Sequence, residues 1–332
     1  MKDELPMSSA PLPAAPSVAP TRPWPIPTSY FSVVLGTFAL GLSWRYTASV
    51  WAAPAWAGEG IVAVASALWL ALVAVFIAKV FLRPDAVRAE LEDAIQCCFL
   101  SLIPITTIEL GVSLLPYARL LGQIVIISAV IGQLAFAMYR VPSLWRGTHS
   151  LPATTAVLYL PTVAANFASS AALASAGWRD WGMLFFGAGL FSWIALEAAV
   201  LSRMRTLASL PAPMRGVWGI LLAPPFVGGN AYILSNGGEV DTLFMILTGY
   251  GALQFLFLAR LLPWTLSAGY TMSLWGYSFG LGASVSVGWH LVHAAVLVQL
   301  GWVLVFLSSA LLAALWVGVV VLALRGRLLA KG

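Results

Sequence analysis

Residues 151–175 read LPATTAVLYLPTVAANFASSAALAS, and residues 178–202, one short turn later, read WRDWGMLFFGAGLFSWIALEAAVLS. Each is long and apolar enough to cross a bilayer, which takes roughly 20 residues. The first carries Pro161 near its middle and a scatter of hydroxyl and amide side chains. The second has no proline at all. A proline inside a helix leaves the carbonyl four residues back without a donor, and lipid supplies none. Such a break is tolerated where the helix faces protein or a water-filled path. The pair therefore reads as a broken inner helix followed by a continuous outer one.

The same alternation extends in both directions. Apolar stretches lie at 28–50, 59–82, 94–115, 119–141, 151–175, 178–202, 215–236, 240–262, 267–289 and 292–324. Pro104 falls in the third, Pro161 in the fifth and Pro224-Pro225 in the seventh, while the ninth carries Gly276, Gly280 and Gly282 instead. The even stretches have no internal proline, and the last is expected to project beyond the bilayer. Odd stretches begin at intervals of roughly 50 to 65 residues, a period that the helix breakers share. We expect an all-α integral membrane protein of ten transmembrane helices: five helical hairpins with quasi-five-fold symmetry around a central pore. The expected organisation is a disordered, proline-rich cytoplasmic tail over 1–27, a channel domain over 28–324 and a short cytoplasmic tail over 325–332.

Composition supports the class. Of 332 residues, 61% are hydrophobic and only 9% charged, with a mean hydropathy of +0.92; soluble domains carry about 25% charged residues. The first 27 residues hold eight prolines and no apolar core of a signal peptide, so the first span is expected to serve as the uncleaved targeting signal. Of the 17 basic residues, only Arg45, Arg119 and Arg179 stand at the ends opposite the tails, and the other fourteen collect on the tail side. The positive-inside rule then puts both termini in the cytoplasm of a bacterial inner membrane, which requires an even number of spans. The net charge of +5 follows topology and does not indicate nucleic acid. Cys97 and Cys98 are adjacent and read as small apolar residues of a helix.

The odd helices are rich in weakly polar side chains. Thr107, Asn166 and Ser278 are the candidates for lining a pore, and Pro104, Pro161, Pro224, Gly276 and Gly280 are the candidates for shaping it. The alternative for the small residues is close helix packing. No lysine or arginine sits mid-span, so a pore for anions would attract them by backbone dipoles, hydroxyls and charges at its mouths. Glu109 lies in the outer half of the third stretch and Glu197 toward the cytoplasmic end of the sixth. Glu197 reads as a structural hydrogen-bonding group. His290 and His293, three residues apart, read as interfacial. The chain contains no phosphate-binding loop, no HExxH and no nucleophile elbow; no enzyme activity, metal or cofactor is expected.

Four segments carry a resemblance: 24–37 (WPIPTSYFSVVLGT), 158–167 (LYLPTVAANF), 186–193 (FGAGLFSW) and 274–283 (LWGYSFGLGA). In this order and spacing they resemble the tellurite-resistance/dicarboxylate transporter family, related to the slow anion channels of plant guard cells. The resemblance covers nearly the whole chain from about residue 24. It implies a homotrimer in which each protomer has its own pore, plugged by a phenylalanine of the ninth helix; the matching position is Phe279. A phenyl ring can dewet a narrow pore, and the neighbouring Gly280 leaves room for it to turn. Regulation through long cytoplasmic tails, as in the plant relatives, is not expected here. The resulting expectation is a passive anion channel linked to tellurite resistance, its partners being small inorganic or organic anions and the lipid bilayer. The alternatives are a proton-coupled carrier of C4-dicarboxylates or tellurite oxyanions, with Glu109 as the titrating group, and a multidrug or cation efflux protein.

Overall fold

The computed structural model describes residues 24–51 and 53–328. Most of the two tails, 1–23 and 329–332, lies outside the described residues, including the proline-rich stretch read as disordered. Among the described residues every regular element is helical. The helices are α1 (Phe31–Val50), α2 (Ala55–Leu82), the short α3 (Pro84–Glu92) and α4 (Gln96–Phe99), α5 (Leu102–Leu114), α6 (Arg119–Ser143), α7 (Ala165–Ser175), α8 (Arg179–Thr206), α9 (Ala223–Ser235), α10 (Thr242–Thr265), α11 (Ser278–His293) and α12 (Val298–Leu324). Eight segments are long and apolar enough to cross a membrane. They correspond to the second to eighth and the tenth predicted stretches. The first and ninth are also helical, as α1 of 20 residues and α11 of 16.

The odd stretches share a construction. Four of the five open with a 3-10 run before the α-helix, and the third opens with a single separate α-helical turn. The 3-10 runs are Thr28–Tyr30, Ala156–Tyr159, Ala212–Leu222 and Met272–Tyr277, and α4 plays this part in the third stretch. The prolines fall at these junctions. Pro104 is the third residue of α5, and Pro224-Pro225 occupy the first turn of α9. There a proline costs no hydrogen bond, because first-turn N–H groups have no intrahelical partner. Pro161 sits in a wide turn, Leu160–Ala164, leading into α7. Gly276 lies in the last 3-10 run, whereas Gly280 is inside continuous α11.

One expectation about the even stretches needs correction. Pro142 lies inside α6 and Pro263 inside α10. Both helices run past their predicted ends, and the prolines sit in their final turns, where little ladder remains to disrupt. The last helix, α12, has 27 residues, more than the roughly 20 that cross a bilayer.

Burial separates the two sets. In the third, fifth and seventh stretches 61%, 83% and 83% of the most apolar window is buried; in the even ones the share is 11% to 33%. Nearly all of α11 is buried as well. The inner helices contact one another in a closed cycle, α1 to α5, α7, α9, α11 and back to α1, and each packs against the next long helix in the chain. Small residues permit the closest approaches. A Cβ at Gly282 would stand 2.4 Å from Ala39 Cβ, and one at Gly36 would stand 2.3 Å from Ser278 Cβ, so α1 and α11 touch backbone to backbone. The start and end of the described chain meet: Tyr30 Oη donates to the Leu328 carbonyl at 2.5 Å. At this same end buried Lys79 pairs with Glu90 of α3, which also accepts from Thr28 Oγ1 at 2.8 Å.

Candidate functional site

Two cavities, each of about 200 Å³, lie within the ring of inner helices. The near cavity is at the end where the described chain termini meet; its wall includes Ser29, Ser32, Gln96, Thr155, Pro224 and Ser278. Aliphatic and aromatic side chains make up most of the rest, and no charged side chain among the described residues lines it. The far cavity is walled by Tyr46, Glu109, Ser175, Asn230, Ser286 and His290 among smaller residues. Phe279 lines both, as does Val227 of α9. The ring of Phe279 is buried, 7% exposed, and stands at the boundary between the two spaces. Its position follows from the local fold. The switch from 3-10 run to α-helix falls at Ser278, and the Ser278 hydroxyl donates to the carbonyls of Trp275 and Ser32. The first turn of α11 is thereby held to α1, with Phe279 next in line.

The structure distributes the other sequence candidates unevenly. Ser278, Gly276 and Pro224 line the near cavity together with Phe279. Thr107 does not face either cavity. Its hydroxyl accepts from the Trp69 indole at 3.2 Å and donates to the Ile103 carbonyl, and the residue lines an open groove on the outer side of α5. Pro104 lines the same groove. Asn166 is turned toward α6: Nδ2 donates to the Thr162 carbonyl at 2.6 Å, and Oδ1 accepts from Gln133 at 3.4 Å. Gly280 serves close packing, since a Cβ there would lie 2.8 Å from the Leu222 carbonyl carbon. Pro161 is buried in its turn behind the near cavity, and its neighbours Leu160 and Val163 reach the wall.

Sequence reading missed most of the far cavity. His290 was expected at an interface, but it is 6% exposed and lines this cavity; its Nδ1 lies 3.0 Å from Tyr46 Oη, and the two rings stack with centroids 4.3 Å apart. A signal was available: Phe279, Ala283, Ser286 and His290 are spaced by four, three and four residues, one face of a helix. Glu109 also faces this cavity, and among the described residues nothing forms a hydrogen bond or ion pair with its carboxyl. Glu197 behaves as expected of a structural group. Its carboxylate accepts from Tyr159 and Tyr250 hydroxyls at 2.5 and 2.7 Å, from the Trp193 indole at 2.9 Å and from Gln254 at 3.4 Å. Tyr159 in turn lines the near cavity. Cys97 and Cys98 are buried free thiols, and no group of metal-ligating side chains occurs among the described residues.

Basic groups mark the rims. Arg45, at the far end of α1, bonds Glu59 at 2.6 Å and the Ser113 carbonyl at 2.8 Å, and Tyr117 Oη donates to the same carboxylate. At the near end Arg215 lies over the Trp264 ring and donates to Ser267.

Residues 25–324 match the family model described as SLAC1, voltage-dependent anion channel. The chain is 41% identical over 278 residues to the tellurite resistance protein TehA homolog of Haemophilus influenzae, a match covering 83% of this chain and 84% of that one. It is 23% identical over 295 residues to the S-type anion channel SLAH3 of Arabidopsis thaliana, covering 80% of this chain and 44% of the plant protein.

Proposed function

The chain belongs to the SLAC1 family of voltage-dependent anion channels, and from that premise we propose that it conducts small anions passively through the ring of inner helices, with Phe279 as the gate. The observation that carries the reading is the shared phenylalanine: one ring borders the near and the far cavity, and between them they span the inner ring. An apolar plug of that size excludes water, and without water an anion loses the hydration it needs to pass. Turning the ring aside joins the cavities. Ten spans arranged with quasi-five-fold symmetry, both tails in the cytoplasm of a bacterial inner membrane, and a homotrimer with one pore per protomer complete the proposal. The link to tellurite resistance is carried by the name of the bacterial relative.

The test is chloride and nitrate current through the purified protein in planar bilayers. Small wild-type currents and anion-selective currents raised at least tenfold in Phe279→Ala are expected. Unchanged currents in a well-folded variant would remove the gate. A cation-selective reversal potential would instead favour an efflux protein. The carrier reading draws support from Glu109, whose carboxyl faces the far cavity. Uptake that tracks an imposed proton gradient, with no current from either protein, would favour that reading.

A further inference from the structure

The far cavity holds two titratable groups for which simple gating by Phe279 has no use. We propose that it is a proton-dependent binding site for a small monovalent anion, with Glu109 and His290 as the groups whose protonation admits the ion. The proposal rests on the channel reading and adds to it what sets the current.

Glu109 comes from α5 and His290 from α11, on either side of α1, and both line one cavity of about 200 Å³. A site this size takes a chloride or nitrate with a few waters, each of which occupies about 30 Å³. The charges around it can be enumerated. α1 supplies Tyr46, hydrogen-bonded to His290; α7 supplies alanines and Ser175; α9 supplies Asn230 among apolar residues. Arg45, beside Tyr46, is engaged by Glu59 and the Ser113 carbonyl, and His293 is exposed beyond the cavity. Among the described residues, no lysine or arginine lines the space to offset an ionised Glu109.

The sign of the effect follows. An unscreened carboxylate in a small cavity repels an entering anion, and protonation removes the repulsion. Protonation of His290 adds a positive charge to the same wall. Both titrations therefore act in one direction, and binding strengthens as the far side is acidified. A neutral donor is already in place. Ser286 Oγ donates to Asn230 Oδ1 at 2.6 Å, which leaves the Asn230 amide N–H groups without a partner among the described residues. By linkage, an anion that binds better to the protonated cavity draws protons onto it. The proton stays in the cavity while the ion passes, so the current changes in size but remains driven by the anion gradient.

The experiment uses the full chain carrying Phe279→Ala, so that the gate does not mask the site. Nitrate current is recorded with the far-cavity side at about pH 7.5 and then at about pH 4.5, a span that reaches the ordinary histidine and carboxyl ranges. We expect a rise of roughly threefold or more, no response to the opposite side, and a reversal potential set by nitrate alone. Adding Glu109→Gln should give a current already high at the upper pH, and adding His290→Asn as well should abolish the pH response. A response that persists in that triple variant, or a reversal potential that moves with the proton gradient, overturns the proposal. If no variant carries anion current, the channel reading fails separately, and calorimetry still judges the site. Nitrate binding to wild-type protein in detergent should take up protons, measured in buffers of different ionisation enthalpy, and Glu109→Gln should abolish most of that uptake. Equal uptake in the two proteins overturns the site. Glu109→Gln preserves the shape of the side chain, and elution on size-exclusion chromatography checks its fold.

Discussion

The fifth and sixth stretches are neighbours in sequence and comparable in apolar character, yet 83% of one and only 22% of the other is buried. Phe167 of α7 is fully enclosed, packed against Phe186 and against the faces of Gly189 and Gly228, whereas Phe191 of α8 is 72% exposed. In a soluble protein such a contrast would follow from hydrophobicity. In lipid the apolar environment is the same on both sides, so close packing and polar satisfaction decide which helix goes inside. The inner stretch carries small residues and a broken backbone whose groups need protein partners. The outer one has a regular ladder that needs none.

The largest expected test of that difference is Phe167→Ala, which should destabilise the protein by about 3–5 kcal/mol through the cavity it leaves. Denaturation in mixed micelles would measure it, and a loss below about 1 kcal/mol would break the comparison. Glu197→Ala should follow at about 2–4 kcal/mol, because it strands the hydroxyls of Tyr159 and Tyr250 and the Trp193 indole. Glu197→Gln retains acceptor capacity and should cost less; the same denaturation ranks the pair. Pro224→Ala, on the near cavity wall, should change anion current more than Pro104→Ala in the outward groove. Equal changes in bilayer recordings would mean that both act only through the backbone. Phe191→Ala should stay within about 0.5 kcal/mol of wild type, and a larger loss would point to a second copy of the chain covering that face.

Much of this fold was legible because helix length and breaker position are local properties of the chain. α8 starts and ends within about four residues of its predicted stretch, and α5 and α9 end within about one residue of theirs, but both start about eight residues later, after the turn or 3-10 run that opens each stretch. Azimuth was harder. Thr107 and Glu109 are two residues apart, so about 200° separates them around the helix. Polarity made Thr107 a candidate for lining a pore and left Glu109 to the carrier alternative, yet the Trp69 indole holds Thr107 outward while Glu109 meets the far cavity. Asn166 had the same ambiguity, resolved by Gln133 on α6. Val227 carries no chemical signal, and only the three-dimensional ring reveals that it shares the boundary with Phe279. The place of Phe279 itself came from the family resemblance, because a lone aromatic in an apolar helix is indistinguishable from a packing residue.

The near cavity, walled without a single charged side chain among the described residues, has a consequence for valence. The cost of moving an ion out of water grows with the square of its charge, so a dianion meets about four times the penalty of a monoanion of the same size. Hydroxyls and amides soften that penalty without changing the scaling. Nitrate, chloride or a hydrogen-bearing oxyanion should therefore cross this region far more readily than a fully ionised dicarboxylate or tellurite, whose passage would depend on first acquiring a proton.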